Sequence, residues 1–107
     1  MTLKVTMLGT ADQIPSSNRN HSAVLINHRG ENILVDCGEG TQRQFRFAKL
    51  NPCKITKILI THIHGDHVLG LPGLLSTLAM SGYRKDLEIY GPKGIKKFIN
   101  EMLVLFN

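Results

Sequence analysis

The stretch ILITHIHGDHVLGLPG, residues 58–73, constrains this chain more than any other. A short apolar run ends in residues 62–67, which carry an aspartate and three of the chain's 5 histidines. A strand points alternate side chains to the same face, so His62 and His64 project together from the end of KILIT. Gly65 lets the backbone turn tightly, and Asp66 and His67 follow on the next loop, diverging from the first pair. Imidazole nitrogens and carboxylate oxygens are ligands that zinc takes, and manganese and iron accept the same set. Four donors divided in this way suit two ions side by side better than one tetrahedral ion. Two neighbouring metals can clamp the attacking and leaving oxygens of a displacement. The competing account is a surface turn with incidental histidines, and four donors at this spacing make it the poorer one.

The flanking pattern predicts what carries this cluster. LKVTML alternates and is rich in β-branched and apolar residues, which predicts a strand; GTADQIPSSNRN reads as a polar loop. HSAVLIN and ENILVDC form two strands around NHRG, a hairpin connection with a glycine for positive φ. GEGTQRQFRFAKL suits a helix start with a possible cap at Thr41. ITKILIT is almost wholly apolar, the pattern of a strand buried on both faces. Leu71, Leu74, Leu75, Leu78 and Ala79 then fall at helical spacing, with Pro72 in the first turn and Gly82 at the stop. LEIY is a further strand. Pro92 opens a last helix with Ile95, Phe98, Ile99, Met102, Leu103 and Phe106 on one stripe. A hairpin followed by alternating helices and strands is a mixed α/β class.

Bulk properties limit the remaining options. A chain of 107 residues that is 42% hydrophobic is one globular domain or part of one. The net charge of +5 suits an anionic partner, although a solvated basic surface also accounts for it. Cys37 and Cys53 lack CxxC spacing and read as small buried residues of a reducing compartment. No run approaches the roughly 20 apolar residues of a membrane span, and the start lacks a signal-peptide core. A cytoplasmic chain with no membrane partner is therefore expected. EMLVLFN ends inside an apolar stripe, which predicts a fragment of a longer protein.

HIHGDH is the HxHxDH signature of the metallo-β-lactamase superfamily, and LVDCGEG resembles the motif that precedes it there. Asp36 would then orient the loop or a ligand imidazole, or else cap the following turn. SSNRNHSA, DCGEGTQRQ and HGDHVLGLPGLL…YGPKGI each resemble the ribonuclease Z family of tRNA 3′-processing endonucleases, from about residue 5 to the end of the chain. The resemblance implies an αββα sandwich, of which residues 1–107 would be the N-terminal half. It implies two zinc ions, other first-row divalent metals being possible. His62 and His64 would serve one ion, Asp66 and His67 the other, with Asp66 also accepting the proton of the attacking water. It further implies removal of the 3′ trailer from precursor tRNA, a 3′-hydroxyl on the product, and a homodimer.

This sequence departs from that family in having no histidine after His67, where later residues complete the metal shell. The fragment alone is therefore expected to be inactive. His21 and His28 read as structural. Arg43, Arg46, Lys49, Lys54 and Lys57 form an acid-free basic run between Gly40 and Gly65, suited to phosphate contacts or to a solvated face. Two alternatives stay open. One is a hydrolase of a small ester or cyclic nucleotide; the other is a non-catalytic RNA-binding or assembly subunit.

Overall fold

The computed structural model describes residues 2–106. Five strands form one sheet in sequential order: β1 (Leu3–Gly9), β2 (Ala23–His28), β3 (Glu31–Val35), β4 (Ile55–Leu59) and β5 (Glu88–Tyr90). The first three pair antiparallel, and β3, β4 and β5 pair parallel. The parallel pairs need crossovers. One runs through α1 (Thr41–Phe47); the other runs through α2 (Gly65–Val68) and α3 (Leu71–Met80), and α4 (Ile95–Phe106) follows β5. The mixed α/β class predicted from the pattern is the observed one.

Local chemistry explains the element boundaries. Arg29 and Gly30 both have positive φ, 52° and 80°, as a tight hairpin between right-twisted strands requires. Helix α1 starts at Thr41 with Gly40 as its N-cap, so Thr41 is the first helical residue rather than the cap. Its hydroxyl donates to the Gly38 carbonyl at 2.6 Å. Helix α3 carries its proline in the first turn and ends before Gly82, at φ 78°, as the sequence predicts.

The register divides the sheet into two unlike faces. Leu25, Leu34, Ile58 and Ile89 are cross-strand partners in one row. The first three are buried with Phe45, Leu71, Leu74 and Leu78, so this face and the helices make the core. An irregularity between Asn32 and Ile33 inserts Thr56 into the β3–β4 ladder, which brings Ile55 and Ile58 to the same side. The opposite face is open. There Leu3, Val5 and Met7 are 63%, 54% and 59% exposed, opposite the half-buried Ile26 and Val24. Strand β4 is thus covered on one face, not on both as its apolar run suggests, with Lys57 and Leu59 half-buried on the other. The stripe on α4 is also only partly used: Met102 is buried, while Leu103 and Phe106 are 48% and 66% exposed.

The division of faces makes a contrast that chemical denaturation can read. Leu34→Ala empties a fully buried position and is expected to cost about 2–5 kcal/mol. Met7→Ala, on the open face, is expected to stay within about 0.5 kcal/mol. Equal costs would show that the open face is packed.

Candidate metal centre

The four sequence-predicted donors gather where β4 ends. Beyond Leu59 the chain keeps one more pairing, Ile60 N–H to the Tyr90 carbonyl at 2.8 Å. His62 and His64 lie beyond the strand, and His64, in extended backbone, is the N-cap of the four-residue α2. Asp66 and His67 lie within that helical turn rather than on an extended loop. The turn folds His67 back, so its ring centroid is 3.9 Å from that of His62, which itself stands 4.6 Å from His64. The second pair therefore converges on the first instead of diverging, because the turn reverses the chain within three residues. Among the described residues no group of three or more His, Cys, Asp or Glu side chains is poised to hold an ion by itself.

Asp36 controls how these imidazoles present themselves. It follows β3 at φ 62°, is only 4% exposed, and receives three donors. The Thr61 backbone N–H reaches Oδ1 at 2.8 Å, and the Thr61 hydroxyl reaches Oδ2 at 2.9 Å. His67 Nδ1 lies 2.7 Å from Oδ2. An ionised carboxylate only accepts, so Nδ1 of His67 carries the proton and Nε2 is left as the ligand atom. The Thr61 hydroxyl has a single proton, committed to Asp36. It therefore accepts from His62 Nδ1 at 3.0 Å, and His62 too is left with Nε2 free. Of the two roles open to Asp36, the structure displays the orienting one. Thr61 was missed by sequence reasoning; its only signal is a hydroxyl placed directly between an apolar strand and the motif.

The donor set fits a cation. His67 Nε2 faces Asp66 Oδ2 at 3.2 Å, and an imidazole lone pair opposite a carboxylate oxygen is unfavourable unless a proton or a cation lies with them. Asp66 Oδ1 is also buried without a hydrogen-bond partner. An unsatisfied buried carboxylate oxygen is costly, and a coordinated cation would remove that cost. Cys37 does not join the set. Burial pushes its thiol up to about 12, with the Asp36 charge adding to the shift against a hydrogen bond with Thr41.

Backbone contacts hold the parts in register. Cys37 N–H donates to the His67 carbonyl at 2.8 Å, and Gly70 N–H donates to the Cys37 carbonyl at 2.9 Å. A Cβ on Gly70 would stand 2.0 Å from the Gly38 carbonyl oxygen, so only glycine permits this approach. Of the remaining histidines, His21 Nε2 is 2.8 Å from the Gln13 carbonyl, and His28 ends β2. The basic run is split. Arg43 stacks 5.2 Å over Phe47 beside residues 16–20, Lys57 pairs with Glu31, and Arg46, Lys49 and Lys54 line other clefts.

With this geometry in hand, known proteins supply the family. The family model described as Anti-Pycsar protein Apyc1 matches residues 3–104. The chain belongs to that family. It is also homologous to ribonuclease Z: the enzyme of that name from Methanothermobacter thermautotrophicus is 50% identical over 93 residues, 87% of this chain and 30% of the relative. The crystal structure of the short form of human tRNase Z superposes with a TM-score of 0.88 at 49% identity, covering 94% of this chain and 39% of that one. The metallo-β-lactamase fold protein YhfI from Bacillus subtilis superposes at 0.74 with 26% identity, over 92% of this chain and 42% of that one. The fold is therefore that of the metallo-β-lactamase proteins, and the chain spans about a third of the length of the relatives it matches.

If Asp36 sets the ligand atoms, removing its charge must weaken ion binding. Asp36→Asn is expected to lower Zn2+ affinity about 10–100-fold, read by titration calorimetry. Unchanged affinity would contradict the orienting role.

Proposed function

We propose that this chain is the metal-donor half of an endoribonuclease that removes the 3′ trailer of precursor tRNA. The observation that carries the reading is the cluster itself: two imidazoles held through Nδ1, one of them with Nε2 facing Asp66, beside a buried, unpartnered carboxylate oxygen. It occurs in a chain 50% identical to a ribonuclease Z. His62 and His64 would hold one ion, and Asp66 and His67 a second; zinc is the metal best matched to such donors. When bound, the ions supply charge stabilisation at the scissile phosphate and a more acidic attacking water.

The protein's own part is orientation and proton transfer. Asp36 and Thr61 fix two ligand rings, and Asp66 takes the proton of the attacking water. Each ion needs about three protein ligands, so donors from the rest of a longer protein complete the shell and the 107-residue chain alone is inactive. That longer protein would also cover the open sheet face with a second sheet, making residues 1–107 one half of an αββα sandwich. A cytoplasmic homodimer acting on tRNA completes the proposal. Among the described residues no helix is long and apolar enough to cross a membrane.

A second reading rests on the family description, which names no RNA. The same donors could hydrolyse a small ester or a cyclic nucleotide. Offering the longer protein precursor tRNA and a cyclic nucleotide separates the two.

Asp66→Ala in that longer protein is expected to reduce tRNA cleavage at least about 10²–10⁴-fold, the range for loss of a general base. Its tRNA affinity, read by gel shift, is expected to hold. Cleavage at a near wild-type rate would remove Asp66 from the chemistry.

A further inference from the structure

The sheet end opposite the metal donors carries a second cluster of charge. Lys4, Asn27, Asn32 and Ile55 are cross-strand partners in the row that opens β3 and β4. Asn32 precedes Asp36 by four residues, about 13 Å of extended chain. A cavity of ≈ 390 Å³ opens there, lined among others by Lys4, Asn27, Asn32, Lys49, Asn51 and Lys54. A second, of ≈ 330 Å³, shares Lys49, Leu50 and Asn51 with it and continues past Arg46 to Thr77 and Ser81. No acidic residue lines either cavity. Among the described residues none of Lys4, Arg46, Lys49 and Lys54 makes an ion pair.

The backbone at the shared residue is unusual. After α1, Leu50 N–H bonds the Phe45 carbonyl at 2.9 Å and Lys49 N–H bonds the Arg46 carbonyl at 3.1 Å. These two bonds define a Schellman stop, whose left-handed position is normally glycine. Lys49 occupies it at φ 59°, a conformation that disfavours any residue with a Cβ. A lysine held against that preference, and lining both acid-free cavities, points to a use for the charge.

We propose that the paired cavities form one groove that grips the phosphodiester backbone of an RNA strand, with Lys49 at its centre. The proposal rests on the RNA-processing reading above and extends it to a face remote from the chemistry. Four cations strung along adjoining clefts suit successive phosphates, and the Asn, Thr and Ser groups suit phosphate or ribose oxygens. The one aromatic in the lining, Phe45, is fully buried, so no platform exists for stacking bases. The groove adds sequence-independent affinity and takes no part in cleavage.

Anisotropy of a short labelled single-stranded RNA, titrated with this chain in EDTA at several salt concentrations, tests the groove. Lys49→Gly is expected to raise the thermal midpoint by relieving the backbone while weakening RNA binding about three- to tenfold. The slope of log affinity against log salt should fall by about 0.7 per lost phosphate contact. Lys4→Gln with Lys54→Gln should weaken binding in the same way. Unchanged affinity and slope in both variants would overturn the groove, as would a lower midpoint for Lys49→Gly. If pyrophosphate stabilises wild type but not Lys49→Gly, with RNA affinity untouched, the RNA assignment is overturned. Because the experiment reads binding without metal or cleavage, a longer protein that fails to cut tRNA leaves this result standing. Loss of the groove likewise leaves the cleavage reading standing.

Discussion

A buried carboxylate joins the three segments on which the candidate metal centre depends. Asp36 follows β3, receives Thr61 from just beyond β4, and receives His67 from α2. A carboxylate this deeply buried is strongly unfavourable unless its oxygens are matched by donors, and these donors satisfy it. Its left-handed backbone costs about 1 kcal/mol more, a strain the three hydrogen bonds hold in place. The same bonds dictate the tautomers of His62 and His67. Structural satisfaction of Asp36 and preparation of the ligand atoms are thus one arrangement.

The sheet explains why the centre sits where it does. Parallel pairing of β3 and β4 brings Asp36 and Thr61 to the same end, and the crossovers place α1 and α3 on one face only. Glycine at positions 38 and 70 lets the loops after β3 and before α3 touch backbone to backbone, which locks the cluster onto the strand ends. The other face keeps an apolar surface of Leu3, Val5 and Met7 beside the half-buried β2 residues. One face forms the helix core and the other stays open, an asymmetry consistent with the sandwich half proposed above.

Much of this was legible in the residues. Alternation and apolar runs located all five strands, and Pro72 and Gly82 marked the ends of α3, because these signals are local. What failed was non-local. The apolar run of β4 suggested burial on both faces, yet burial of the second face depends on what packs there, and Lys57 and Leu59 are only half-buried. Spacing alone made Asp66 and His67 diverge from His62, because a single helical turn at residues 65–68 is too short to leave a periodic signature. Thr61 was overlooked since its role exists only once Asp36, 25 residues away, comes within 3 Å. The spacing of histidine and aspartate named the candidate donors; the hydrogen bonds that Asp36 and Thr61 make to their rings came from the structure.

The account turns on which nitrogen of each ring bears the proton before any ion arrives. Side-chain 15N NMR of the histidines in the metal-free chain, near neutral pH, measures this directly. The Asp36 and Thr61 hydrogen bonds require a proton on Nδ1 of both His62 and His67. Rings protonated at Nε2 and bare at Nδ1 would show that Asp36 does not set the ligand atoms, and the account of the centre would fail.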